Sequence, residues 1–203
     1  MLQNDPELFE LSMSEKTQPL MDLVKKHCEE NIKPIQQEYS SLQNEKEDRW
    51  SWHPRQIELM EGAKEKAREL GLWNFFLPDP DGNIGDGLTN LDYTYVASEI
   101  GKYPLASESM NCSAPDTGNM EVLERVGTEE QKKQWLEPLL NGEIRSAYAM
   151  TEPNLASSDA KNISTSAVLD GDEWVINGEK FYISGAGDPR CKIMITMVKT
   201  SPD

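Results

Sequence analysis

The change of pattern near residue 143 limits this chain more than any other feature. Before it, apolar residues recur at helical spacing. After it, short β-rich runs are separated by tight-turn dipeptides. Two periods in that order imply an α+β class, with an all-helical part followed by a sheet part. Leu20, Leu23, Val24, Cys28, Ile32 and Ile35 mark a first helix, which Pro34 should end. Pro54 opens a second, with Ile57, Met60, Ala63, Ala67 and Leu70 inward and Gly71 at its exit. Thr89 and Asp92 cap a third helix through Tyr95, Val96 and Ile100. Thr128 with Gln131 forms the capping box of a helix ending at Gly142, its last turn distorted by Pro138.

Downstream, residues 144–151 form a short mixed run and residues 164–169 a β-branched one. Asp170-Gly171 is a hairpin turn into residues 173–176, which puts Trp174 and Ile176 on one face. Asn177-Gly178 is a second turn, leading into a strand at Phe181-Tyr182-Ile183. A last strand covers residues 193–198. The expected organisation is a tail over 1–15, a helical domain over 16–142 and an incomplete antiparallel β-domain over 143–203. Its edges are left open at Pro202-Asp203, so the chain reads as interrupted.

Charge narrows the partners. Acids outnumber bases 36 to 20, a net charge of -16. Such a surface repels phosphate backbones and anionic lipid, which argues against nucleic acid and membrane-surface roles. Cys28, Cys112 and Cys191 are scattered and odd in number, so neither a disulfide framework nor a zinc site is indicated. With only His27 and His53, a histidine metal site or a Ser-His-Asp triad is thinly supported. The first fifteen residues carry four acids and no Lys or Arg, unlike a signal or transit peptide. Gly82, Gly85 and Gly87 follow no strand and read as a turn rather than a dinucleotide loop.

Two stretches could carry chemistry. The first runs Tyr148-Ala149-Met150-Thr151-Glu152-Pro153, then Ala156-Ser157-Ser158-Asp159. Pro153 stops the strand, and a hydroxyl-rich loop follows. Such a loop suits a ring with carbonyl and nitrogen edges, or a diphosphate; composition alone favours the plainer reading, a polar connection that caps its own backbone. The second runs from Asn177 to Gly185. Tyr182 and Ser184, two apart on a strand, would share a face, one against a planar ring and the other at its edge. The plainer reading is an aromatic in a sheet core.

Taken together, Thr151-Glu152-Pro153, Ser158-Asp159, Asn177-Gly178-Glu179-Lys180 and Tyr182-Ile183-Ser184 resemble the acyl-CoA dehydrogenase family. The upstream Gly127-Thr128-Glu129-Glu130-Gln131-Lys132 resembles it too. The resemblance covers nearly the whole chain. The 111–120 segment, the 156–160 loop and Gly185-Ala186-Gly187-Asp188-Pro189 point to one branch. Departures are a loop one residue longer before Asp159, leaving Ser157 or Ser158 in the serine position. Tyr182, Ser184 and Gly185 also stand where Trp, Thr and Asn are usual.

The resemblance implies FAD as cofactor and acyl-CoA as substrate, with α,β-dehydrogenation in fatty-acid β-oxidation. Tyr148, Ala149, Met150, Thr151, Glu152, Ser157, Ser158, Tyr182, Ile183 and Ser184 would hold the flavin, and Ser158 would also meet substrate. It places the catalytic base on a later helical domain, so no catalytic residue is expected here and Glu152 is rejected as the base. It further implies electron-transfer flavoprotein as acceptor, a homo-oligomeric longer form, and a mitochondrial or peroxisomal location. An acyl-CoA oxidase and a non-catalytic binding module are the alternatives; bound flavin separates the second, and oxygen reactivity of reduced flavin the first.

Overall fold

The computed structural model describes residues 11–45, 48–77 and 87–201. The chain forms two compact units, Met1–Ser113 and Ala114–Asp203. A helical part followed by a small sheet region is thus present, and the switch from helix to strand falls inside the second unit. Of the glycine turn, Gly82 and Gly85 lie outside the described residues.

The first unit holds α1 (Gln18–His27), α2 (Lys33–Ser41), α3 (Pro54–Glu69), α4 (Asn90–Ile100) and the short α5 (Ala106–Ser109). Pro34 does not end the first helix. A π-helical turn, Cys28–Ile32, joins α1 to α2, and Pro34 sits in the first turn of α2. Proline cannot donate to the i−4 carbonyl and crowds it; a wider turn just upstream lets the helix run on past it. Val24, Cys28 and Ile32 are buried as expected, but Met21 and His27 join them while Leu23 turns outward. In α3, Met60, Ala63 and Ala67 face inward as expected, joined by Gln56 and Leu59, while Ile57 is exposed, contrary to expectation. Pro54 opens α3 as expected, with His53 as its N-cap, and Thr89 Oγ1 accepts from the Asp92 amide at 3.1 Å, as expected for α4. Tyr39, Leu42, Leu59 and Met60 form one apolar cluster; each such side chain contributes about 1.5–3 kcal/mol on burial.

His27 is fully buried in this unit. Its Nε2 lies 3.0 Å from Ser109 Oγ, and Asn31 Nδ2 lies 3.2 Å from its Nδ1. Ser109 Oγ donates to Ala106 O at 2.8 Å, so it accepts from His27. This is the reverse of a nucleophile activated by histidine, and the third partner is an amide rather than a carboxylate. Burial holds the imidazole down to about 4. A base held low stays neutral in the folded chain while the unfolded chain takes up the proton. Its stabilisation is complete above pH 6.5 and is lost as pH falls towards 4. Asp92 and Glu152 are also held low, but act only below about pH 4.5. Urea unfolding of the first unit should therefore lose about 2 kcal/mol between pH 7 and pH 5. In His27→Gln that pH slope should vanish; an unchanged slope contradicts the assignment.

The second unit opens with α6 (Asp116–Val126), which the periodicity did not reveal. Then come α7 (Glu129–Gln131), a second π turn at Lys132–Leu136, and α8 (Glu137–Leu140). The Thr128–Gln131 capping box is present, and Gly142 at φ +71 closes the run. Pro138 again falls just beyond the π turn, which replaces the expected distortion of the last turn. The strands are β1 (Arg145–Ala149), β2 (Ser166–Asp170), β3 (Glu173–Asn177) and β4 (Cys191–Thr196). β2 and β3 pair antiparallel across Asp170-Gly171, as the turn dipeptide implies. β4 differs from the expected hairpin succession: it returns beside β1 and pairs parallel to it. The β2–β3 ribbon leaves Val168, Leu169, Trp174, Val175 and Ile176 exposed.

Candidate functional site

The expected strand at 181–183 is absent. Asn177-Gly178 does end β3, but it does not start a hairpin. Gly178 has φ +156, and a Cβ there would come within 2.3 Å of Thr165 Oγ1, so the turn demands glycine for close approach. The chain then runs as a loop back to the end of β1. Phe181 N donates to Thr151 O at 2.8 Å, and Lys180 Nζ donates to Met150 O at 3.0 Å. At Tyr182 the backbone turns left-handed, φ +55, which a bulky side chain adopts only under constraint. Alternation along a strand therefore cannot be what places Tyr182 and Ser184 together.

They are nonetheless together. Ala114, Pro115, Tyr148, Tyr182 and Ser184 line a cleft of about 280 Å³. Tyr148 projects from β1 as the exposed member of its burial alternation, and Tyr182 is 83% exposed with its ring 4.0 Å from that of Phe181. Ser184 is exposed and Ile183 half-buried. Ala149 is fully buried, and its carbonyl accepts from Met197 N at 2.9 Å.

The two serines separate cleanly. Ser157 is buried; its Oγ accepts from Glu152 N at 2.8 Å and so builds the loop itself. Ser158 is exposed beside it, as is Thr151. Asp159 accepts from Lys161 N and starts a short turn rather than facing the cleft.

Glu152 is 4% exposed. Oε2 accepts from Ser164 N at 2.9 Å and Ser164 Oγ at 2.6 Å; Oε1 accepts from Thr165 N and Lys180 Nζ, both at 2.9 Å. Burial alone would raise its carboxyl. The donors from Ser164, Thr165 and Lys180 outweigh burial and hold it well below the usual carboxylate range. A carboxylate so saturated is a poor base. Among the described residues, no carboxylate lines the cleft.

One device under the cleft has no sequence signal. Asp116, at the start of α6, accepts from Ser146 N at 2.7 Å and Ser146 Oγ at 2.5 Å, and pairs with Arg145 Nε at 2.8 Å. Asn119 Nδ2 donates to Ser146 Oγ and Ala147 O. These buried polar bonds fasten α6 to β1, and with it Pro115 to the wall that Tyr148 completes.

Comparison with known proteins follows this geometry. A family model described as acyl-CoA dehydrogenase, N-terminal domain, matches residues 14–143, and one described as acyl-CoA dehydrogenase, middle domain, matches residues 147–203. Acyl-CoA dehydrogenase family member 10 of Mus musculus is 48% identical over 193 residues, covering 94% of this chain and 18% of its own length. Family member 11 of Gallus gallus is 47% identical over 190 residues, covering 92% and 23%. A putative acyl-CoA dehydrogenase from Mycobacterium abscessus superposes with a TM-score of 0.85 at 42% identity, over 95% of this chain and 48% of that one. An acyl-CoA dehydrogenase complexed with FAD from Bacillus anthracis, at 23% identity and a TM-score of 0.63, shares the fold over 94% of this chain and 30% of its own. The chain spans about a fifth of these two curated relatives and about half of the Mycobacterium abscessus protein.

Proposed function

The chain belongs to the acyl-CoA dehydrogenase family, and we propose that its second unit supplies the flavin side of an FAD-dependent site acting on acyl-CoA thioesters. The cleft between Tyr148, Tyr182 and Ser184 carries this reading. Its fit to FAD is chemical: two aromatic walls with a hydroxyl at the mouth suit a planar ring with polar edges. Bound FAD would supply the hydride acceptor for α,β-dehydrogenation. Tyr148 and Tyr182 would flank the ring and shield it from water. Ser184 and Thr151 would hydrogen-bond its edge, with the Ala149 to Glu152 backbone behind them. Ser158 would face both cofactor and substrate, while Ser157 and Ile183 shape the two loops. The α-proton would be taken by a base outside the cleft described here, because Glu152 is saturated by donors. We further propose electron-transfer flavoprotein as acceptor, oligomeric assembly and a mitochondrial or peroxisomal location, each an expectation drawn from the family resemblance.

Thr151→Val and Ser184→Ala test the assignment. Each should weaken FAD binding by about 0.5–1.5 kcal/mol, or roughly 2- to 12-fold. Wild-type dissociation constants for both variants, with an unshifted flavin spectrum, would show that these hydroxyls do not meet the ring.

A further inference from the structure

Tyr182 poses a question that packing does not answer. Its backbone is left-handed at φ +55, yet its side chain is 83% exposed, so burial cannot be what forces the conformation. The restraint comes from the residues just before it. Lys180 Nζ reaches Met150 O at 3.0 Å and Glu152 Oε1 at 2.9 Å, and Phe181 N reaches Thr151 O. Three successive residues of the first loop thereby grip two successive residues of the second.

We propose that Glu152 and Lys180 are positioning residues of the cleft, a buried tie that fixes the Tyr182–Ser184 loop against the end of β1 before any cofactor enters. The tie is built for rigidity. The Lys180 side chain is 11% exposed and that of Glu152 3%. Ser164 and Thr165 occupy the rest of the carboxylate, so it cannot swing to follow the ammonium. Preorganisation of this kind lowers the ordering cost of binding a rigid ring. Its functional readout rests on the flavin reading given above.

The test compares Lys180→Met with Lys180→Arg. Ser164 and Thr165 still hold Glu152 in both, so the fold is under less strain than in a Glu152 variant. In the flavin-free chain, Lys180→Met should speed exchange of the Phe181 amide, which donates to Thr151 O, by about tenfold or more. The β2–β3 ribbon should exchange as in wild type. FAD should bind about tenfold or more weakly with a smaller shift of its visible band, and Lys180→Arg should recover most of both. Unchanged exchange at the Phe181 amide overturns the tie. A rise spread equally over the ribbon and the loop overturns it too, since the pair would then serve general stability. If wild type takes up no FAD, the flavin reading falls, and the exchange comparison alone decides the tie. Should Lys180→Met fail to fold, Lys180→Gln, which keeps a donor for Met150 O, carries the same comparison.

Discussion

Replacing Glu152 with alanine is expected to destabilise the second unit by about 3–5 kcal/mol, far more than a surface substitution. The carboxylate satisfies four donors at once. Without it, the buried Thr165 amide loses its acceptor, an orphan that costs about 1–3 kcal/mol, and the part-buried Ser164 amide and hydroxyl lose theirs nearer solvent. Lys180 keeps Met150 O but loses its counter-charge. Removing the ammonium as well should return part of the loss, so Glu152→Ala combined with Lys180→Met should be more stable than the sum of the two single effects. Denaturant-dependent hydrogen exchange at β1 and β4 reads the second unit, with amides of the first unit as internal control. A loss under about 1 kcal/mol would mean that Glu152 is not the hub described here.

How far the sequence carries this account varies by element. Helix against strand was legible because the apolar period changes at residue 143. Helix ends at glycine and capping residues were legible for the same local reason. Proline was misleading. Both Pro34 and Pro138 lie just past a π turn, and whether a helix spends a residue on such a turn is decided by packing further along, not by the proline. α6 escaped notice because its inward face carries Asp116 and Asn119, which bond to β1, along with Met120 and Leu123. A partly polar buried stripe gives no clean hydrophobic period.

The sheet tells a similar story. The β2–β3 hairpin follows from its turn dipeptide, whereas the parallel pairing of β4 with β1 joins segments far apart in sequence that no local pattern connects. Phe181-Tyr182-Ile183 has strand-forming residues, but the grip on Lys180 and Phe181 and the left-handed turn at Tyr182 override that preference. Tyr182 and Ser184 therefore reach one cleft by a loop and not by strand alternation. The motif residues themselves were readable as types. The bond between Glu152 and Lys180, and the burial of Ser157 beside an exposed Ser158, carry no local sequence signal.

FAD bound to this chain is expected to stay oxidised when acyl-CoA is added. Hydride departure from the β-carbon must be matched by loss of the α-proton, which needs a carboxylate within about 2.6–3.2 Å of its target. Among the described residues none lines the cleft. Glu152 is saturated, Asp159 caps a turn, and Asp188 is paired with Arg190. Lack of a general base slows such a step by about 10²- to 10⁴-fold. The measurement is a visible spectrum of FAD titrated with purified chain, followed by acyl-CoA of several chain lengths in the absence of oxygen. The account predicts a shifted flavin band that does not bleach. No shift at excess protein would contradict the flavin site, and bleaching within about tenfold of the rate of a longer acyl-CoA dehydrogenase would place a working base in this chain.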